Sequence, residues 1–227
     1  MSAPLALIVG VGDGLSASLA RLLTREGYRV ALAARNIDKL AELAQETGAR
    51  TYSCDAANPD AVADLFAGLD GSPNVVVYNP SARVRGPITE LDPQAVHNAI
   101  DITAYGAFLV GQQAARGMLA AGEGTILFTG ASAGVKGFPH SATFAMGKFA
   151  QRGLAESMAR ELHPQNVHVA WINIDGGIRN PGRTEAPDRP DSMLDPDAIA
   201  QTYLDLIRQH RSAWSSEVSV RPWVERF

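Results

Sequence analysis

A chain of 227 residues can bury a sizeable single core, and 46% hydrophobic with 19% charged residues is an ordinary globular balance. A formal net charge of −4 gives no electrostatic footprint for nucleic acid or an anionic membrane, and a single cysteine, Cys54, excludes a disulfide framework and a cysteine-built metal centre. No apolar run approaches the roughly 20 residues that span a bilayer, and Met1-Ser2-Ala3-Pro4 carries no basic leader, so a cytoplasmic protein is expected.

In chain order, residues 5–9 form an apolar strand that runs through a glycine turn into a helix over 18–26. A strand over 28–33 and a helix over 37–47 follow, then strands over 50–53 and 74–78 with a helix over 59–67 between them. A long helix covers about 95–120, with a break near Asp101, and leads to a strand over 125–129 and a helix over 144–162. A strand over 167–172 precedes an irregular stretch, 177–194, rich in Pro, Arg, Asp and Glu; a loop of that length is expected to be a lid. A last helix opens at Asp195-Pro196, an N-cap followed by proline at the first helical position. Continuous apolar strands alternating with helices predict one α/β domain over 1–227. Its architecture is a Rossmann-type, doubly wound parallel sheet of about seven strands with helices on both faces.

The first turn carries the nucleotide signal. Gly10-Val11-Gly12-Asp13-Gly14-Leu15-Ser16 joins the first strand to the first helix. Glycines there let the backbone approach a pyrophosphate, and the helix start offers free N–H groups and a positive dipole end. Cofactor choice is read at the end of the second strand, where an acidic residue suits the ribose of NAD and an arginine suits the 2′-phosphate of NADP. The chain has Ala33-Ala34-Arg35-Asn36, which favours NADP(H) over NAD(H).

Further along, Phe144-Ala145-Met146-Gly147-Lys148 follows an apolar strand and a Gly/Ser-rich turn. In that setting the chain resembles the short-chain dehydrogenase/reductase family over residues 5–176. The family's Gly-x-x-x-Gly-x-Gly matches at Gly10 and Gly14, with Ser16 at the third glycine. Cys54-Asp55-Ala56 resembles the acidic motif whose Asp contacts adenine, and Asn79-Pro80-Ser81-Ala82 falls where relatives have Asn-Ala-Gly. Lys148 matches the lysine that holds the nicotinamide ribose, and Asp175-Gly176 falls at the Pro-Gly position. The resemblance implies cofactor contacts from Gly10, Asp13, Gly14, Leu15, Arg35, Asp55, Ala56, Asn79, Pro80, Ser81, Lys148, Gly176 and Ile178. It also implies a homodimer or homotetramer built on the helices near 104–120 and 144–162.

Relatives use Asn, Ser, Tyr and Lys for the chemistry. By spacing, the tyrosine position holds Phe144, the serine position Ala131 (with Ser132 one step on) and the asparagine position Thr103. A phenyl ring neither donates nor accepts the proton that carbonyl reduction needs, a role typically worth about 10²–10⁴-fold. Lys148 and Ser132 are the catalytic candidates, with Ser141, Thr143, His140, Tyr78 and Tyr105 as further donors. His97, His163, His168 and His210 have no metal-ligand spacing and are expected at the surface or at helix ends; no metal is expected. Three readings follow: an NADP(H)-dependent oxidoreductase on a small carbonyl or alcohol, a catalytically silent nucleotide-binding module, and a partner subunit of an active relative. Neither a membrane nor a nucleic acid is an expected partner.

Overall fold

The computed structural model describes residues 3–225, so Met1, Ser2 and the last two positions of the expected domain lie outside the described residues. The chain opens with β1 (Leu5–Val9), α1 (Leu15–Arg25), β2 (Arg29–Ala34), α2 (Ala41–Thr47), β3 (Arg50–Ser53), α3 (Pro59–Ala67) and β4 (Val75–Tyr78). It continues with α4 (Pro93–Ile100), α5 (Gly106–Ala121), β5 (Gly124–Thr129), α6 (Ala142–Leu162) and β6 (Val167–Ile174). The remaining elements are β7 (Gly177–Ile178), β8 (Met193–Leu194), α7 (Pro196–Ile207) and β9 (Glu217–Val220). Seven strands pair in parallel in the order β3-β2-β1-β4-β5-β6-β9.

Both faces of the sheet are covered at its centre, where β1, β4, β5 and β6 are buried along nearly their whole length. Along β1, Leu5, Leu7 and Val9 pack with α3, α5 and α6, while Ala6 and Ile8 pack with α1, α2 and α7. The two-residue period of a strand thus divides one apolar run between two cores.

Local differences from the sequence reading have local causes. Helix α1 begins at Leu15, directly after Gly14, rather than at 18. Strand β2 is shifted by one residue, and α6 begins at Ala142. The expected break near Asp101 is a π-helical turn over Asp101–Tyr105 that joins α4 to α5 without interrupting the helical path. β9, which the reading did not locate, is a short edge strand of alternating exposure with Glu217 and Ser219 outward, so it lacks the apolar run that marked β1, β4 and β5. The 177–194 stretch is tied at its ends by the parallel pair β7–β8 and internally by Asn180 and Arg183, whose backbone amides each donate to the other's carbonyl. His168 is not a surface residue: it lies inside β6, 1% exposed, with Nε2 2.9 Å from the Ser215 carbonyl and its ring stacked on Trp214. His97 and His210 are exposed, and His163 follows the end of α6.

Candidate nucleotide-binding and active site

The strand order reverses between β1 and β4, and a crevice opens beyond their carboxyl ends, where ligands of open parallel sheets bind. Gly10 leaves β1 with φ of +82°, and a Cβ there would sit 2.6 Å from the Pro80 ring. Only glycine fits both constraints. Asn79, just past β4, braces the turn by donating from Nδ2 to the Gly10 carbonyl at 3.1 Å and to Ser16 Oγ at 2.8 Å. Gly14 provides no side-chain cap to α1, so the first-turn amides have no side-chain acceptor from the cap.

Two adjoining cavities run along this crevice and share Gly10, Val11, Asn79 and Ser81. One, about 390 Å³, is also walled by Arg35, Asn36, Lys39, Cys54, Asp55, Ala56, Pro80 and Ile102. The other, about 380 Å³, adds Gly12, Asp13, Gly14, Leu15, Thr129, Ala131, Phe144, Lys148, Gly176, Ile178 and Asn180, with Arg83 and Arg183. Each is the size of a small-molecule site, and together they form a track long enough for an extended ligand. Every residue expected to touch a cofactor lies on one wall or the other.

Lys148 is the buried charge of the site. It is 2% exposed, and its Nζ donates to the Thr129 carbonyl at 2.5 Å and to Gln151 Oε1 at 3.2 Å. Burial, with Arg83 adding repulsion, pushes its pKa down to about 7. Phe144, one turn earlier on α6, has the Arg83 guanidinium over its ring at 4.1 Å and Lys148 Nζ at 6.0 Å. Gly147 lets α6 press on the π-helical turn, since a Cβ there would lie 2.8 Å from Thr103 Cβ. Thr103 is itself buried, and its Oγ1 accepts from the Ala82 amide at 3.0 Å.

The other proton-donor candidates lie off the wall shared by Phe144 and Lys148. Ala131 lines that wall and Ser132 does not; Ser132 opens the 3₁₀ turn Ser132–Gly134, and one step along a turn re-aims the side chain. Tyr78 is buried in the core with its hydroxyl donating to the Ile102 carbonyl, and burial raises its pKa. Thr143 is buried with Oγ1 unpartnered. Ser141, His140 and Tyr105 are likewise absent from the wall. Sequence reasoning did not single out Arg83, Arg183, Lys39, Thr129 and Asn180, which come from loops, a strand end and the 3₁₀ turn Asp38–Leu40 with no motif spacing.

The residues fit a dinucleotide. The glycine turn and helix start suit a pyrophosphate, while Arg35 and Lys39 put two cations at the far end of the track. Among the described residues no cluster of His, Cys, Asp or Glu is arranged to hold a metal, and no helix is long and apolar enough to cross a membrane.

A doubly wound parallel sheet with a braced glycine turn and a buried lysine on the cleft wall defines a dinucleotide-binding protein of the Rossmann class. The chain belongs to the short-chain dehydrogenase family, whose model matches residues 4–186. A solved short-chain dehydrogenase from Rhodopseudomonas palustris superposes with TM-score 0.84 at 35% identity, over 97% of this chain and 99% of that one. A metagenomic short-chain oxidoreductase solved in complex with NADP gives TM-score 0.84 at 27% identity, over 99% of each chain. An uncharacterized oxidoreductase of Staphylococcus aureus (strain N315) is 27% identical, over 96% of each chain. Sorbitol-6-phosphate 2-dehydrogenase of Escherichia coli (strain K12) is 26% identical, over 89% of this chain and 83% of its own.

Proposed function

We propose that the protein is an NADP(H)-dependent oxidoreductase acting on a small carbonyl or alcohol, with Lys148 handling the proton. The observation that carries this reading is the Lys148 ammonium on the cavity wall, with its pKa pushed down to about 7. Reduced nicotinamide, when bound, supplies the hydride to a carbonyl carbon. The Thr129 carbonyl and Gln151 Oε1 occupy two of the three Nζ donors, leaving one for the cavity. Nζ gives that proton to the carbonyl oxygen, and the resulting neutral amine regains a proton from solvent. In the oxidation direction the neutral amine takes the alcohol proton. A group titrating near the working pH is well matched to both directions.

NADP(H) is supported over NAD(H) by Arg35 and Lys39, and by the lack of a carboxylate at the end of β2. The 177–194 segment acts as a lid, bearing Ile178, Asn180 and Arg183 on the cavity and tied to the start of α7 by the Arg179–Asp195 ion pair. Exposed Phe108 on α5 with Met146 and Phe149 on α6 supports association with a second copy. A second reading, nucleotide binding without catalysis, draws on the Phe144 ring, which lies beneath Arg83 and carries no hydroxyl.

The test titrates NADPH and NADH against tryptophan fluorescence, then screens carbonyls with wild type and Ala131→Ser/Phe144→Tyr. The proposal expects tighter NADPH binding, turnover by the wild type, and loss of about tenfold or more of the NADPH preference in Arg35→Ala. Turnover confined to the double variant would establish the second reading instead. Binding of neither nucleotide would sink both.

A further inference from the structure

The protein is negative overall, at −4, yet the wall around Phe144 is cationic. Arg83, Arg183 and Lys148 line it against one carboxylate, Asp13. The arginines arrive from opposite sides: Arg83 and Arg85 from the segment after β4, Arg183 from the 177–194 segment after β6. The first segment is fastened to the loop before α6, where the Gly86 amide donates to the His140 carbonyl at 3.3 Å. Desolvation, and then the repulsion of Arg85 and Arg183, holds the Arg83 guanidinium below its usual pKa.

Like charges gathered in one place are unfavourable unless an anion answers them. No described protein group does so. Among the described residues none of Arg83, Arg85 and Arg183 forms an ion pair, whereas nearby Arg179 pairs with Asp195 and Arg221 with Asp175. The Phe144 ring face is the contact that holds the Arg83 guanidinium at the reacting end of the cleft, away from Arg35 and Lys39. A guanidinium left unpaired there keeps its planar fork of donors for a carboxylate or a phosphate.

We propose that Arg83 and Arg183 form a subsite for an anionic group, a carboxylate or a phosphate, carried by the substrate. Its place beside the reacting carbon rests on the oxidoreductase reading above. The arrangement gives the Phe144 phenyl a task of its own, which is to seat Arg83 flat against the α6 side of the cavity. It also makes closure of the 177–194 segment dependent on charge, since Arg183 completes the subsite from that segment.

The other anion that these arginines could serve is the cofactor's own pyrophosphate, so the test separates the two. NADPH affinity is measured for wild type, Arg83→Met, Arg183→Met and the double variant. Binding of inorganic phosphate and of acetate is then measured by calorimetry on the NADPH-saturated proteins. Dihydroxyacetone phosphate is compared with dihydroxyacetone as a matched pair in turnover. The proposal expects NADPH affinity within about twofold of wild type, with phosphate or acetate binding weakened about ten- to hundredfold in the double variant. It expects wild type to favour the phosphorylated ketone by a similar factor, and the preference to collapse in the variants. Loss of NADPH affinity as large as the loss of phosphate binding would assign the arginines to the cofactor and overturn the proposal. Absence of phosphate and acetate binding to the NADPH-saturated wild type would overturn it as well. If the anions bind as expected and neither ketone turns over, the subsite stands and the hydride-transfer reading fails.

Discussion

Gly10, Phe144 and Lys148 show what single residues do here and how far each was legible. Gly10 could be read from the sequence because a glycine after a first strand has a recognisable purpose; the structure adds the Pro80 ring against it and the Asn79 brace. Lys148 and Phe144 were legible as a spacing on a helix, but the Thr129 and Gln151 partners of Lys148 come from tertiary packing. Arg83 and Arg183 were not legible as single residues, although 177–194 was legible as a candidate lid. A lone arginine in a loop has no periodicity, and its meaning arises only when distant loops converge. Two substitutions separate backbone need from ligand need at the glycine turn. Gly10→Ala should lose about 2–4 kcal/mol in urea unfolding, since it adds strain at positive φ and an overlap with Pro80. Gly12→Ala, where a Cβ meets nothing within 4 Å, should stay within about 0.5 kcal/mol of wild type while weakening NADPH binding. Equal unfolding midpoints for the two variants would contradict the role given to Gly10.

At the scale of elements, the cap of α7 was legible in the sequence. Asp195 caps α7 as expected from Asp-Pro, accepting from the Asp197 amide at 2.7 Å and the Ala198 amide at 3.3 Å. It also holds Arg179 of the 177–194 segment, so one carboxylate anchors both a helix and the segment before it. Asp195→Ala should therefore lower the urea midpoint by an amount equivalent to about 1 kcal/mol. It should also raise proteolytic nicking within 177–194, and unchanged nicking would show that the ion pair does not hold the segment. Asn58 and Asp92 cap α3 and α4 in the same way, each before a proline. The central strands were legible as apolar runs, and β3 as a short β-prone segment between two helices. β9 was missed because an edge strand needs apolar residues on one side only, and the four residues Glu217–Val220 carry too little pattern to stand out.

Across the whole molecule, the fold class followed from alternation of apolar strands and helices, and the cleft from the reversal of strand order between β1 and β4. What the sequence could not show was burial of polar groups by distant partners, as at His168 beneath Trp214. Burial is the largest influence on His168 and holds its pKa below the usual value. The unfolded chain therefore takes up a proton near pH 6.5 while the folded chain resists until lower pH. The stability contribution of the neutral ring is complete above about pH 6.5 and is lost as pH falls below it. Wild type should lose stability across that window faster than His168→Gln; parallel pH curves for the two proteins would contradict the assignment.

The central claim is that the buried ammonium of Lys148 supplies the proton, and the pH dependence of kcat for NADPH-driven carbonyl reduction tests it most directly. Reduction needs the protonated form, so kcat should be level below about pH 7 and fall about tenfold per pH unit above it. Oxidation of the matching alcohol should rise over the same range, and Lys148→Met should lower kcat for reduction by about 10² or more. A reduction rate that is flat from about pH 6 to about pH 9, or that survives in Lys148→Met, would contradict the account.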